Sequence, residues 1–218
     1  MQAEGVIKFD LQFSASEPVA SATLADLNAW RRILWQLQLI GQDPARYGGY
    51  GFGNVSQRMS DVNDTSGKRR FIISGTQTGD LPQLDASHYA IVNEYDAGTN
   101  RVVAEGPVRP SSESLTHGII YDMDTDIRVI LHVHSPDIWA HADRLHIPVT
   151  DAAVAYGTPA MAAEVRRLFT DTDVRHKGIL GMAGHEDGII SFGTTAGEAG
   201  SVLLRSLAAS LAAQELPD

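Results

Sequence analysis

Arg128-Val-Ile-Leu-His-Val-His-Ser135 constrains the fold of this chain more than any other stretch. Val129, Ile130, Leu131 and Val133 give the near-continuous apolar run of a strand covered on both faces. His132 and His134 are spaced i, i+2, so both imidazoles point to one side of the sheet. Two ring nitrogens converging from a rigid strand begin a metal site. A zinc site that does chemistry needs a third protein ligand and an open position. The alternative for this stretch is a strand end carrying two satisfied histidines.

The rest of the composition narrows the options. The chain has 218 residues and no cysteine. That length suits one large domain with a sizeable core, 1–218, with residues 1–22 as an N-terminal extension. Without thiols there is no disulfide framework, and a metal must take nitrogen or oxygen ligands. A net charge of −10 argues against an electrostatic nucleic-acid or anionic-membrane surface. An anionic substrate would need local help from a metal, a helix N-terminus or backbone N–H groups. No stretch approaches a membrane span, and the N-terminus lacks a basic region followed by an apolar run, so the expected location is cytoplasmic.

In chain order, residues 5–13 alternate enough for a short strand, and 14–21 read as a linker. A helix is expected over about Thr23–Ile40, with Thr23 as N-cap, Gly41 as stop, and Leu24, Leu27, Arg31 (by its stem), Leu34 and the Leu37–Ile40 end on the core stripe. The span 41–59 holds five glycines and two tyrosines and reads as a flexible loop leading into a strand at Gly53-Asn54. Residues 69–73 form another strand, ending in Ser74-Gly75-Thr76. The runs 88–95 and 100–105 flank Asp96-Ala-Gly-Thr99 as a hairpin. Pro110-Ser-Ser-Glu113 opens a helix to about Asp122, with Glu113 and His117 on one face. Further helices follow Pro136 and Thr158-Pro159. Strands at 177–182 and 188–192 flank Gly184-His-Glu-Asp-Gly188. A closing Ala/Leu helix starts at a Thr195/Glu198 capping box.

His185, in a glycine-bracketed turn between two apolar strands, is the leading third histidine, because such turns hold functional groups at fixed places. Its bland alternative is a surface turn. His117 competes, whereas His141, His146 and His176 read as solvated or packing residues. Glu113 is the best acid or base, although a carboxylate at a helix start is ordinarily a favourable dipole contact. Ser111 and Ser112 are, singly, caps; Asn54, Ser74 and Gly75 are, singly, turn residues.

Taken together and in order, GNVSQR (53–58), ISG (73–75), PSSE with a helical histidine (110–117), HVH (132–134) and the glycine-flanked His185 resemble the class II aldolase/adducin family. The likeness covers about residues 23–212. It implies a three-layer α/β/α sandwich with a mainly antiparallel central sheet, and a homotetramer with active sites near subunit interfaces. It also implies His132, His134 and His185 as ligands of Zn2+ or another divalent metal, Glu113 as catalytic acid/base, and Asn54, Ser74, Gly75, Ser111 and Ser112 as residues that hold a substrate phosphate. Three neutral imidazoles would leave a cation its full charge for polarising a hydroxy-ketone and stabilising an enediolate, with the carboxylate moving the proton.

Three departures from the family pattern stand out. Glu186 and Asp187 follow the third histidine where the family usually has glycine. The interfacial proton-donor tyrosine of the aldolases is missing: Val149-Thr-Asp-Ala152 occupies its place, and Tyr156 is not its equivalent. The C-terminal tail that closes over the site in several relatives is nearly absent. Conversely, the 41–52 loop is longer than usual, and Tyr47 or Tyr50 could supply a phenol. No lysine lies among the motif residues; Arg58 and Arg109 are the nearest cations. The leading expectation is a metal-dependent, aldolase-like lyase for a small hydroxy-carbonyl sugar or sugar phosphate. The alternatives are a non-catalytic adducin-like oligomerisation module, a family epimerase, dehydratase or decarboxylase, and a metal hydrolase.

Overall fold

In a computed structural model, which describes residues 5–59 and 70–215, the chain begins with β1 (Asp10–Ala15), α1 (Ala25–Gln36), β2 (Gly41–Gln42), β3 (Gly51–Phe52) and β4 (Asn54–Arg58). It continues through β5 (Phe71–Ser74), β6 (Tyr89–Asp96), β7 (Arg101–Gly106), α2 (Ser114–Met123), β8 (Val129–His134) and α3 (Pro136–Ala140). Last come α4 (Pro159–Asp171), α5 (Val174–Lys177), β9 (Ile179–Gly181), β10 (Gly188–Gly193) and α6 (Ala196–Gln214). Residues 1–4 of the expected extension and Arg69 of the expected 69–73 strand lie outside the described residues.

Eight strands form one sheet in the order β1-β7-β6-β5-β4-β8-β10-β9, with β2 and β3 as a separate ribbon. Every pairing in the large sheet is antiparallel except the edge pair β1–β7, so the sheet is mixed with a mainly antiparallel body. The expected edge segment 5–13 thus contributes a strand, shifted to Asp10–Ala15.

Parity along each strand sorts the core into two clusters. Phe71, Ile73, Ile130, Ile190 and Phe192 face Leu115 and Ile119 of α2 and Val165 and Leu168 of α4. Ile72, Val129, Leu131, Val133 and Ile189 face Leu27 and Leu34 of α1, Ile138 of α3 and Leu203 of α6. Helices on both faces make three layers, the arrangement expected from the resemblance.

Local chemistry explains the boundaries. Pro159 opens α4 and Thr158 Oγ1 accepts from the Met161 N–H at 3.3 Å. Met161, Val165 and Leu168 then recur at helical spacing and are buried. Thr195 caps α6 by accepting from Glu198 N–H, but the Glu198 carboxylate reaches back to Thr194 N–H at 2.7 Å, so the expected box is displaced by one residue. α1 stops at Gln36, short of the expected Ile40, and Thr23 does not cap it. Leu37, expected in the core stripe, is 45% exposed because the helix has already ended; Gln38 turns the chain at φ 58°, and Leu39 and Ile40 leave the helix to bury themselves. The Leu39 carbonyl accepts from His134 N–H at 2.9 Å, which ties the start of the 41–52 loop to the end of β8.

Candidate metal centre and active site

The same parity turns His132 and His134 away from the α1–α6 layer and toward α2. His132 lies opposite Asn54 on β4 and Ile190 on β10, and His134 lies opposite Gly188. Both rings are wholly buried. The third histidine arrives from the turn between β9 and β10. His185 N–H donates to the Met182 carbonyl at 3.0 Å, and its own carbonyl accepts from Gly188 N–H at 2.9 Å. This turn lies against residues 152–154 so closely that a Cβ on Gly184 would stand 2.1 Å from the Val154 carbonyl oxygen; only glycine fits there.

One nitrogen from each of His132, His134 and His185 lies within 4.8 Å of the others. Their ring centroids are 4.7–5.3 Å apart. Glu113, at the N-cap of α2, points its carboxylate into this group, 3.3 Å from His132 Nε2 and 3.0 Å from His185 Nδ1. Burial alone would raise its carboxyl, but the fields of His132, His185 and His117 outweigh burial and bring it down to about 2. The carboxylate is therefore ionised at neutral pH. His134 is held far on the neutral side, first by burial and then by the neighbouring imidazoles.

His132 decides what this cluster can hold. Its Nδ1 lies 3.2 Å from the Ile189 carbonyl, which can only accept, so Nδ1 carries a proton. Its Nε2 then faces an ionised carboxylate. Lone pair against carboxylate is repulsive, so a proton or a metal ion between the two groups is what makes the contact favourable. Three buried nitrogen donors with a carboxylate alongside match the preferences of zinc and similar divalent ions, and a backbone carbonyl behind one ligand is the usual orienting partner. The residues present fit a divalent metal.

His117 does not join the trio. Its Nδ1 is engaged with Ser56 Oγ at 2.7 Å, which meets Tyr121 Oη at 2.8 Å. Burial lowers the His117 imidazole to about 3, with Glu113 opposing and His132 adding to the shift. His141 is half-buried on its own helix turn, and His146 and His176 are exposed.

The five expected substrate-holding residues are gathered beside the histidines. Asn54 is one residue from Val55, whose N–H donates to Ser74 Oγ at 3.1 Å. Gly75 bridges to Pro110, and Ser111 N–H donates to the Ser74 carbonyl at 3.1 Å. Ser111 Oγ accepts from Glu113 N–H at 3.3 Å, and Ser112 lies between them in sequence, so cradle and carboxylate share one turn. All five are buried, and among the described residues nothing donates to Asn54 Oδ1.

Two tyrosines flank the histidines. The long loop brings the Tyr47 ring 4.5 Å from that of His134, while Tyr50 is 46% exposed. Tyr47 Oη donates to Asp187 at 2.6 Å, and Arg46 pairs with the same carboxylate at 3.2 Å. Burial, then the Asp187 carboxylate, keeps this phenol protonated. Asp187 thus serves the tyrosine, while Glu186 is exposed. On the other flank the Tyr156 ring lies 4.5 Å from His185 and is 1% exposed. The unusual length of the 41–52 loop pointed to Tyr47 or Tyr50, and Tyr47 is the one at the site; no local signal marked Tyr156, which a contact across the fold puts in place.

A mixed sheet between helical layers, with three histidines and a glutamate converging at the end of its central strands, defines the class II aldolase type of protein. The chain belongs to the class II aldolase/adducin family: the family described as Class II Aldolase and Adducin N-terminal domain matches residues 45–205. Solved structures agree on the fold. L-fuculose 1-phosphate aldolase is 20% identical with a TM-score of 0.62, over 92% of this chain and 93% of that one. Sugar-phosphate aldolase from Thermotoga maritima is 14% identical with a TM-score of 0.64, over 90% and 97%. YgbL from Escherichia coli, whose description sets aldolase, epimerase and decarboxylase side by side, is 15% identical with a TM-score of 0.65, over 91% of each chain. No curated protein matches the chain significantly by sequence alone.

Proposed function

We propose that this protein is a divalent-metal-dependent lyase of the aldolase type, acting on a small hydroxy-carbonyl sugar or sugar phosphate. The observation that carries the reading is the buried Glu113 carboxylate set within 3.3 Å of two of three clustered histidines. His132, His134 and His185 would hold Zn2+ or another divalent ion, which when bound supplies Lewis-acid polarisation of a carbonyl or hydroxyl oxygen. Glu113, ionised at rest, takes a proton from the substrate at its carboxylate and returns it later. Asn54, Ser74, Gly75, Ser111 and Ser112 bind the far end of the substrate and fix its distance from Glu113. Tyr47 and Tyr156 exclude water from the histidine side, and the Tyr47 phenol, held by Asp187, stays protonated there.

The alternative of an epimerase or decarboxylase uses the same groups and is supported by the likeness to YgbL. Product analysis separates them: aldol cleavage yields two carbonyl-bearing fragments, decarboxylation yields carbon dioxide and one organic product, and epimerisation leaves the carbon chain whole. The proposal extends to a homotetramer in the cytoplasm, to be read by light scattering and fractionation. Among the described residues no helix is long and apolar enough to cross a membrane.

The decisive variant is Glu113→Gln. It keeps bound metal and lowers turnover of hydroxy-carbonyl substrates by about 10²–10⁴-fold. Wild-type turnover in that variant would remove Glu113 from the mechanism.

A further inference from the structure

The atoms that face the middle of the histidine cluster are closed off from solvent. Both Glu113 carboxylate oxygens, His132 Nε2, both His134 ring nitrogens and His185 Nδ1 are buried. A molecule that is to meet them has to displace a wall. Tyr156 on one flank and Phe52 beside His134 are themselves buried, and Phe52 is paired with Gly41 in the β2–β3 ribbon. Tyr47 differs. Its ring lies 4.5 Å from that of His134 and 5.0 Å from that of Phe52, yet the residue is only half-buried. It is a part of the wall with solvent behind it.

Segment 43–50, which carries Tyr47, is fastened to the rest of the protein at one residue. Most of its hydrogen bonds stay within the loop. Ala45 N–H donates to Asp43 Oδ1 at 2.8 Å, Gly49 N–H to the Arg46 carbonyl at 2.8 Å, and Gln42 Nε2 to the Gly49 carbonyl at 2.7 Å. Among the described residues, the hydrogen bonds that leave the 41–52 loop from this segment go to Asp187, from Tyr47 Oη at 2.6 Å and from Arg46 at 3.2 Å. Asp187 belongs to the fixed part: it sits in the third-histidine turn, and its carbonyl accepts from Ser135 N–H at 2.8 Å. Tyr47 has φ 49°, a region that an aromatic residue seldom takes unless its contacts hold it there. Gly48 and Gly49, also at positive φ, give the chain a hinge beside it.

Behind the segment lies a cavity of about 370 Å³, lined by Ile40, Asp43, Arg46, Phe52 and Asp80 among others. Arg46 therefore has carboxylates on two sides: Asp187 at the histidine turn, and Asp43 and Asp80 around the cavity.

We propose that segment 43–50 is a gate on the metal centre and that Asp187 is its latch. Small molecules enter when Arg46 turns to the cavity carboxylates and takes Tyr47 off His134. Asp187 and Arg46 are positioning residues here, acting through Tyr47. The inference rests on the proposed function only in taking the three histidines as a metal site. The latch pair is partly exposed, so the contact is weak enough to open, and the alternative partners of Arg46 give the gate two states.

The test is stopped-flow zinc exchange on the full-length protein: uptake by the metal-free chain, and release from the zinc-loaded chain to an excess of a chromogenic chelator. Wild type is compared with Arg46→Met, Tyr47→Phe, the double variant and, as control, Tyr50→Phe, each checked for melting temperature. A latch on the path changes uptake and release alike and leaves equilibrium affinity untouched; a contact that merely supports a ligand changes affinity. The expected result is that both rates rise about tenfold in the double variant, and less in either single one, at unchanged affinity for zinc, as befits loss of charge-assisted hydrogen bonds. Tyr50→Phe exchanges zinc at the wild-type rate, and high salt speeds exchange in wild type but not in the double variant. Equal rates in the folded double variant and wild type overturn the inference. So does faster release matched by weaker affinity with uptake unchanged, which would make Asp187 a support for His185. If wild type binds no zinc, the metal reading fails by itself and the gate is read in the metal-free chain. Carbethoxylation of His134 and His185 by diethyl pyrocarbonate, followed peptide by peptide by mass spectrometry, is then faster in the double variant if the latch holds the gate, and equal if it does not.

Discussion

The two faces of β8 are built from alternate residues of one six-residue strand, yet they do opposite work. Val129, Leu131 and Val133 face α1 and α6 in a mainly apolar layer, whose buried polar groups are few, such as Ser191 opposite Leu131. Ile130, His132 and His134 face α2, where Glu113, His117 and Ser56 are buried as well. The first face buries groups that gain by leaving water. The second buries groups that lose by it and are tolerable only when paired. The comparison teaches that stability and chemistry are separated here by parity rather than by distance along the chain, and substitutions one residue apart should have unrelated consequences.

The largest effect expected is on the polar face. A His132→Ala/His134→Ala double variant drops from about one divalent ion per chain to none by mass spectrometry and loses turnover, while the chain stays folded by circular dichroism. Retention of stoichiometric metal would break the comparison. Next in size is the apolar face. Leu131→Ala, at a fully buried position directly before His132, costs about 2–5 kcal/mol in urea unfolding but keeps metal bound.

A third test uses pH. The His117 imidazole is lowered in the folded chain to about 3 from an ordinary 6.5, chiefly by burial. The unfolded chain takes up that proton first, so this contribution is fully present above pH 6.5 and is lost as pH falls toward 3. In metal-free protein the loss amounts to about 2 kcal/mol between pH 6.5 and pH 5. His117→Gln should flatten the slope of unfolding free energy against pH by that amount; an unchanged slope would place the acid sensitivity elsewhere. The smallest effect is expected at the flank. Tyr47→Phe removes one hydrogen bond to the partly buried Asp187, costing about 1 kcal/mol, and lowers turnover without changing metal content.

Much of this arrangement was legible in the chain, for identifiable reasons. Period-two alternation around His132 and His134 is a local property, and the stripe Leu24, Leu27, Arg31, Leu34 is one too; all four residues are buried. The end of α1 was not legible, because it is set by Leu39 and Ile40 entering a core built by distant strands. The Thr195/Glu198 pair was read correctly as a helix start but not in its reciprocal contact, which Thr194 takes instead. In the sequence Tyr156 reads as no equivalent of the donor tyrosine; its place against His185 was not legible, because a contact between residues far apart in sequence sets it. Arg31 illustrates the middle case: its stem was placed in the stripe, but its guanidinium, which donates to the Thr78 carbonyl at 2.9 Å, depends on a loop folding back over it.

The position of β8 has a further consequence, for time rather than for energy. Five strands lie on one side of it and two on the other. Its backbone is paired along both edges, and even the terminal His134 N–H is tied down by Leu39. Amides so placed exchange with solvent only through large cooperative openings, whereas loops such as 46–50 and 151–157 open on their own and far more often. The histidine platform should therefore keep one geometry over hours while the tyrosine-bearing loops breathe many times around it, so that substrate can come and go through its walls while the platform stays assembled.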